Sequence, residues 1–190
     1  EVPLIVDNTM ATPWLCRPFE WGADLVVHST TKFLSGQGNA MGGIVIDSGR
    51  FPWFGNAKYP SLSEPSPDYN GLTFAETFGD LAFTLYSHAV SLRDLGCTQS
   101  PMNAWITLNG VETLPLRMER HVENAQKVAG FLQQHPSVEW VSYAGLSSSP
   151  YYQLAQKYLQ GKAGSVFTFG IRGGYESGLR LLEKVELFSH

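Results

Sequence analysis

Cysteine is nearly absent from these 190 residues, and so is any strong excess of one charge. Cys16 and Cys97 are too few for a disulfide framework and lack metal-ligand spacing, so the chain reads as carrying ordinary thiols and no metal. A net charge of -4, with its charges scattered, leaves neither a nucleic-acid footprint nor a basic patch for a membrane surface. No apolar stretch is long enough to span a bilayer, and Glu1-Val2-Pro3 is unlike the basic opening of a signal peptide, so a cytoplasmic protein is expected. The phosphate-binding patterns G-x-x-x-x-G-K-[ST] and G-x-G-x-x-G are both missing, as are internal repeats and low-complexity segments. Function must therefore come from a small-molecule site. The 43% of hydrophobic residues are enough to bury a core around one.

Two short motifs point to where that site lies. Leu4-Ile5-Val6-Asp7-Asn8-Thr9 and Leu25-Val26-Val27-His28-Ser29-Thr30-Thr31-Lys32-Phe33 are apolar runs that break off into polar side chains. That is how strands of a parallel sheet read where they reach the sheet's edge, and ligands of open α/β sheets bind at that edge. Between them, Pro13, Pro18 and an amphipathic Cys16–Trp21 turn closed by Gly22 suffice for a short crossover helix. Asp7 and Lys32 are thereby placed at the mouths of two neighbouring strands.

One cofactor suits that pairing. Pyridoxal phosphate needs a lysine to bind its aldehyde, a carboxylate to keep its pyridine nitrogen protonated, and hydroxyl or backbone donors for its phosphate. Lys32 can be the first, Asp7 the second, and Ser29 and Thr31 part of the third. Each has a plainer reading: Asp7 as a turn residue, Lys32 as a solvated side chain, and Ser29 and Thr31 as caps at the strand exit. His28 and His121 belong to no triad or metal spacing and read as structural or exposed.

Further along, Gly42-Gly43-Ile44-Val45-Ile46-Asp47 predicts a third strand, and the prolines from Pro52 to Pro67 predict a long ordered loop over about 48–73, most simply a surface excursion or subunit contact. Leu81, Leu85, Ala89, Leu92 and Leu95 follow one helical face that Gly96 can stop. Ser100-Pro101 opens a helix through Leu108 that Gly110 breaks, and a second helix runs from near Thr113 to Gln134 with Met118, Val122, Ala125, Val128, Ala129 and Leu132 buried. Val138–Tyr143 and Ser165–Arg172 read as strands and Glu176–Lys184 as a helix, the start of a smaller α+β domain.

Taken together, Val6-Asp7-Asn8-Thr9, Gly22-Ala23-Asp24, Ser29-Thr30-Thr31-Lys32 and the glycine-rich Ser35-Gly36-Gln37-Gly38-Asn39-Ala40-Met41-Gly42-Gly43 resemble the Cys/Met-metabolism family of pyridoxal phosphate enzymes. Leu92-Arg93-Asp94-Leu95-Gly96, Gly110-Val111-Glu112-Thr113-Leu114-Pro115-Leu116-Arg117 and Phe167-Thr168-Phe169-Gly170-Ile171 look like its O-acetylhomoserine sulfhydrylase branch. The resemblance implies an α/β fold of type I for pyridoxal phosphate-dependent transferases. Residues 1–112 would be part of the large, mostly parallel-sheet, cofactor-binding domain, and 113–190 the linking helix and beginning of the small C-terminal domain. It implies Lys32 as the catalytic lysine, Asp7, Ser29 and Thr31 with Lys32 as cofactor ligands, and a reaction of O-acetylhomoserine with sulfide giving homocysteine and acetate. It further implies a homotetramer built from dimers that share active sites. Many relatives carry histidine where Gln37 stands, so no fixed acid or base role is carried to that position. Cystathionine γ-synthase, cystathionine γ-lyase and methionine γ-lyase share the same cofactor apparatus and stand as alternatives. The sequence reads as an internal fragment of a longer protein, which as a lone polypeptide could be a noncatalytic folding unit.

Overall fold

In the computed structural model, which describes residues 1–187, the two apolar runs form parallel strands. β1 (Ile5–Asp7) is followed by α1 (Thr12–Leu15) and a 3-10 turn over Pro18–Trp21, which Gly22 closes with φ 87°. β2 (Leu25–Ser29) then returns beside β1 in a register that sets Ile5 against Leu25 and Asp7 against Val27. β3 (Gly43–Asp47) pairs with the other side of β2 but runs antiparallel, with Leu25 opposite Asp47 and Ser29 opposite Gly43. Its acidic end therefore lies at the opposite end of the sheet from Asp7.

Among the described residues β2 is the only strand of this sheet with a neighbour on both sides, and it buries Leu25, Val26 and His28. β1 reads from sequence as a buried strand, yet Ile5 is 56% exposed. The reason is position: among the described residues β1 and β3 are sheet edges, so only the middle strand is enclosed.

The proline-rich segment after β3 is ordered as expected, with only α2 (Pro60–Ser63) and a 3-10 turn over Pro67–Tyr69 as regular structure. It is no surface excursion. Phe51, Trp53 and Leu62 are buried and join Phe74, Ala75 and Ala82 in the core of this part of the chain. Phe51 and Trp53 lie 4.5 Å apart, and the Trp53 ring stacks on Phe83 at 5.6 Å. Each such aromatic contact is worth about 0.5 to 1.5 kcal/mol beyond its burial, so the loop is held by its own side chains.

The leucine stripe expected from Leu81 to Leu95 does not face this core. α3 (Phe74–Phe78), a 3-10 turn over Gly79–Leu81, α4 (Ala82–Tyr86) and a π-helical turn over Ser87–Leu92 succeed one another, and Leu81, Leu92 and Leu95 are exposed. Because the residues per turn change along the segment, a pattern spaced for a uniform α-helix drifts off the buried face. Of the expected face Ala89 does pack against the core, joined there by Ala82, Phe83 and Tyr86.

α5 (Pro101–Glu112) begins as read: the Ser100 hydroxyl accepts the Asn103 N–H at 3.2 Å, and Pro101 fills the first turn. Gly110 does not break it. A Cβ there would fall 2.3 Å from the Ser35 carbonyl oxygen, so glycine is required for the helix to touch the backbone of Leu34 and Ser35.

The chain divides into two compact units, Glu1–Pro13 with Arg17–Leu114, and Trp14–Cys16 with Pro115 onward. A division at residue 113 gives no hint that Trp14–Cys16 groups with the later residues. In the second unit α6 (Leu114–Gln134) is as long as its pattern predicts, although Val128 points out while Ala125 and Ala129 are buried against Tyr143 and Leu146. β4 (Val138–Ser142), α7 (Tyr152–Tyr158), β5 (Thr168–Ile171) and α8 (Gly174–Glu183) follow, with β4 and β5 antiparallel. α7 carries no apolar periodicity strong enough to be read beforehand. The Trp14 indole joins this unit beneath the Lys162 ammonium, 3.8 Å from the ring centre.

Two glycines inside helices separate packing from propensity. Gly110→Ala meets backbone and should lower stability by about 2 kcal/mol or more. Gly130→Ala in α6 meets nothing within 4 Å and should be neutral or raise stability by up to about 1 kcal/mol. Denaturant unfolding of the intact protein measures both.

Candidate functional site

The ends of β1 and β2 build the site. Asn8 extends the parallel pairing one residue past β1 by donating its N–H to the Val27 carbonyl at 2.9 Å. The chain then turns at Thr9, whose N–H donates to Asp7 Oδ1 at 2.9 Å. The Thr9 hydroxyl also donates to the Asp7 carboxylate, and it accepts the Ser29 N–H at 2.8 Å. One hydroxyl thus ties the two strand ends together.

Those bonds set the charge. The Thr9 hydroxyl first and its N–H second hold the Asp7 carboxyl below its ordinary range, so this exposed side chain stays ionised at neutral pH. His28, which alternates onto the buried face of β2, feels the opposite balance. Burial lowers the imidazole pKa while the Asp7 charge raises it, and Nδ1 is enclosed without a hydrogen-bond partner among the described residues. Thr12, fully buried, has left-handed backbone at φ 60° while its N–H donates to the Asn8 carbonyl at 2.8 Å. A β-branched residue in that conformation costs about 1 to 3 kcal/mol, so the exit from β1 is held by its surroundings.

After Ser29 the chain enters a π-helical turn over Thr30–Leu34, and at Lys32 the backbone leaves helical values, with φ −87° and ψ −123°. The Lys32 side chain is exposed. The turn is fixed on both sides of it. Ser35 N–H donates to the Thr30 carbonyl at 3.1 Å, and Gly36 N–H to the Lys32 carbonyl at 2.9 Å. Thr31 Oγ1 donates to the Gly42 carbonyl at 3.3 Å and accepts the Gly42 N–H at 3.1 Å, closing a loop over residues 32–41. Gly42 permits this approach, because a Cβ there would lie 2.7 Å from Thr30 Oγ1 and 2.6 Å from the Gln99 side chain. Gln37, in that loop, is exposed and accepts a hydrogen bond from Asn39 at 3.1 Å.

A family profile described as Cys/Met metabolism PLP-dependent enzyme matches residues 1–190. The chain belongs to this family. It is 52% identical to an O-acetyl-L-homoserine sulfhydrylase of Leptospira meyeri, over 99% of this chain and 44% of that protein. It is 48% identical to O-acetyl-L-homoserine sulfhydrylase 1 of Thermus thermophilus, over 100% of this chain and 45% of that one. A crystal structure of a putative O-acetylhomoserine (thiol)-lyase from Campylobacter jejuni, which holds N'-pyridoxyl-lysine-5'-monophosphate, superposes with a TM-score of 0.93 at 39% identity, over 98% of this chain and 46% of that one. The chain spans a little under half the length of these relatives, and its fold is that of the family.

The donor set at the strand ends fits the family's cofactor. An exposed primary amine stands on one strand exit and a carboxylate held ionised on the next, as an aldehyde and a protonated ring nitrogen require. Ser29 adds a half-buried hydroxyl. Thr31 is different, since its hydroxyl is already engaged with both backbone groups of Gly42. Sequence reasoning missed Thr9. The signal was the Asp-x-Thr spacing itself, which returns the threonine to the aspartate in a turn.

Thr9→Val removes the hydroxyl and leaves the Ser29 N–H without its acceptor, a loss of about 1 to 3 kcal/mol in stability. Asp7 should then titrate closer to an ordinary carboxylate. A depressed carboxyl contributes stability above its unfolded pKa and loses it as pH falls, so the wild-type advantage over Thr9→Val should shrink in acid. Thr9→Ser should restore both properties, as read by carboxyl NMR titration and by denaturant unfolding at neutral and acid pH.

Proposed function

We propose that the protein of which these residues are part is a pyridoxal phosphate-dependent enzyme that replaces the acetate of O-acetylhomoserine by sulfide, giving homocysteine and acetate. The observation that carries this reading is the pairing of an ionised Asp7 with Lys32 on adjacent strand exits, joined by Thr9, in a chain about half identical to sulfhydrylases. In it, residues up to about 112 belong to the cofactor-binding domain and those beyond to the small domain.

When bound, pyridoxal phosphate supplies an electron sink for negative charge on the substrate carbon beside the amino group. Lys32 Nζ would hold the cofactor through its aldehyde until the substrate amine arrives. Lys32, once released from the cofactor, would move protons at the α and then the β carbon, and its place on a short, doubly anchored turn would keep it beside them. Asp7, held ionised by Thr9, would pair with the protonated ring nitrogen and keep it cationic. Ser29 would bind the phosphate through its hydroxyl, and Thr31 would join it by turning its proton away from the Gly42 carbonyl. Removal of the β proton would supply the electron pair that expels the acetoxy group from the γ carbon as acetate; hydrosulfide would then form the new carbon–sulfur bond there, with protons returned to the β and α carbons.

The same reading places the enzyme in the cytoplasm, where the thiols of Cys16 and Cys97 stay reduced. It also makes the enzyme a homotetramer built from dimers. The exposed apolar row of Met102, Trp105 and Leu108 on α5 supports burial against further polypeptide in that assembly.

The intact protein, loaded with pyridoxal phosphate, should convert O-acetylhomoserine and sulfide to homocysteine and acetate. Asp7→Asn should lower kcat by about 100-fold or more while the protein stays folded. Release of a 2-oxo acid and ammonia at the same rate whether or not sulfide is added would instead assign elimination.

A further inference from the structure

We propose that Asn103, in the first turn of α5, is a positioning residue for Lys32: its side-chain amide latches the glycine-rich loop that follows the lysine. The proposal rests on Lys32 being the lysine that binds the cofactor. Residues 36–39 of the loop are exposed, and Gly36 and Gly38 adopt φ 77° and 67°, so little apolar burial holds its tip. Met41 is 78% exposed, which leaves its backbone to do the anchoring. Asn103 Nδ2 donates to the Met41 carbonyl at 2.9 Å.

The latch is itself fixed. The Ser100 hydroxyl accepts the Asn103 N–H at 3.2 Å, and the Asn103 carbonyl accepts the Thr107 hydroxyl at 2.8 Å. Thr107 Oγ1 in turn accepts from Gln99 Nε2 at 3.1 Å, and the Gln99 side chain covers Gly42, the residue that Thr31 grips. A connected set of hydrogen bonds thus runs from α5 to the far end of the loop. At the near end Gly36 and Ser35 bond the backbone of Lys32, Thr31 and Thr30. The turn bearing Lys32 keeps one shape only while both ends are held, and at the far end Asn103 fixes the exposed Met41 through its carbonyl, between the small buried Ala40 and the Gly42 that Thr31 grips. An amide is required, because a carboxylate has no proton to give to a carbonyl.

Asn103→Asp and Asn103→Ala in the intact protein test this, with Asn109→Ala as the control, since Asn109 Nδ2 donates within α5 itself, to the Trp105 carbonyl at 2.8 Å. Aspartate near a helix N-terminus favours the helix, so the first variant removes the latch without weakening α5. The expected result is amide hydrogen exchange over 36–42 that is faster by roughly three- to tenfold in both variants, with α5 unchanged. The pH midpoint of the lysine-bound cofactor's absorption band should shift, and kcat should fall more than KM changes. Asn109→Ala should match wild type. Unchanged exchange over 36–42, or an increase spread equally through α5, would overturn the proposal. Reduction of the cofactor onto a residue other than Lys32 in the wild-type protein would overturn the reading of Lys32 separately, whatever the exchange comparison gives.

Discussion

The Thr9 hydroxyl takes the Ser29 N–H at 2.8 Å and gives its own proton to Asp7, and every other feature of the site is measured from that junction. It fixes where the second strand ends, because the N–H it satisfies is the last of β2. It fixes the charge on the first, because a carboxylate that accepts two hydrogen bonds from one residue resists protonation. The parallel register then has no freedom left. A one-residue slip would turn Asp7 to the other face of the sheet and leave the Ser29 N–H without an acceptor.

From this junction the chain must place a lysine within a few residues and keep it there on a single π-helical turn whose backbone breaks at Lys32 itself. The solution is backbone-rich and depends on small residues. Gly42 lets Thr30, Thr31 and Gln99 close around it, and Gly110 lets α5 reach the carbonyls of Leu34 and Ser35. These contacts involve almost no apolar surface, so they order the turn without burying the side chain it presents. The aromatic core of Phe51, Trp53, Phe74 and Phe83 supplies the burial for this unit, and the turn is free to be polar.

The strands, the crossover between them, the capped start of α5 and the long α6 were legible because each depends on local chemistry: apolar runs, proline at a first turn, glycine past a last one. β3 was legible as a strand but not in direction, since a run of Ile44-Val45-Ile46 reads the same both ways. The inward face of 74–92 was not legible, because three kinds of helical turn share that segment and no single period describes it. Gly110 was misread as a breaker because its partner, the Ser35 carbonyl, lies far away in sequence. At the site, the residue types at Asp7, Ser29 and Lys32 were visible as an alternating list of acid, hydroxyl and amine. The Thr9 hydroxyl that joins Asp7 to Ser29 and the engagement of Thr31 with Gly42 were not, because hydrogen bonds across strands leave no spacing to read.

The central claim is that Lys32 binds the cofactor beside an ionised Asp7. Borohydride reduction of the intact, pyridoxal phosphate-loaded protein, followed by peptide mass mapping, tests it most directly. The account predicts a single pyridoxyl group on the peptide containing Lys32. A pyridoxyl group on another lysine, or none in a folded protein saturated with pyridoxal phosphate, would contradict it.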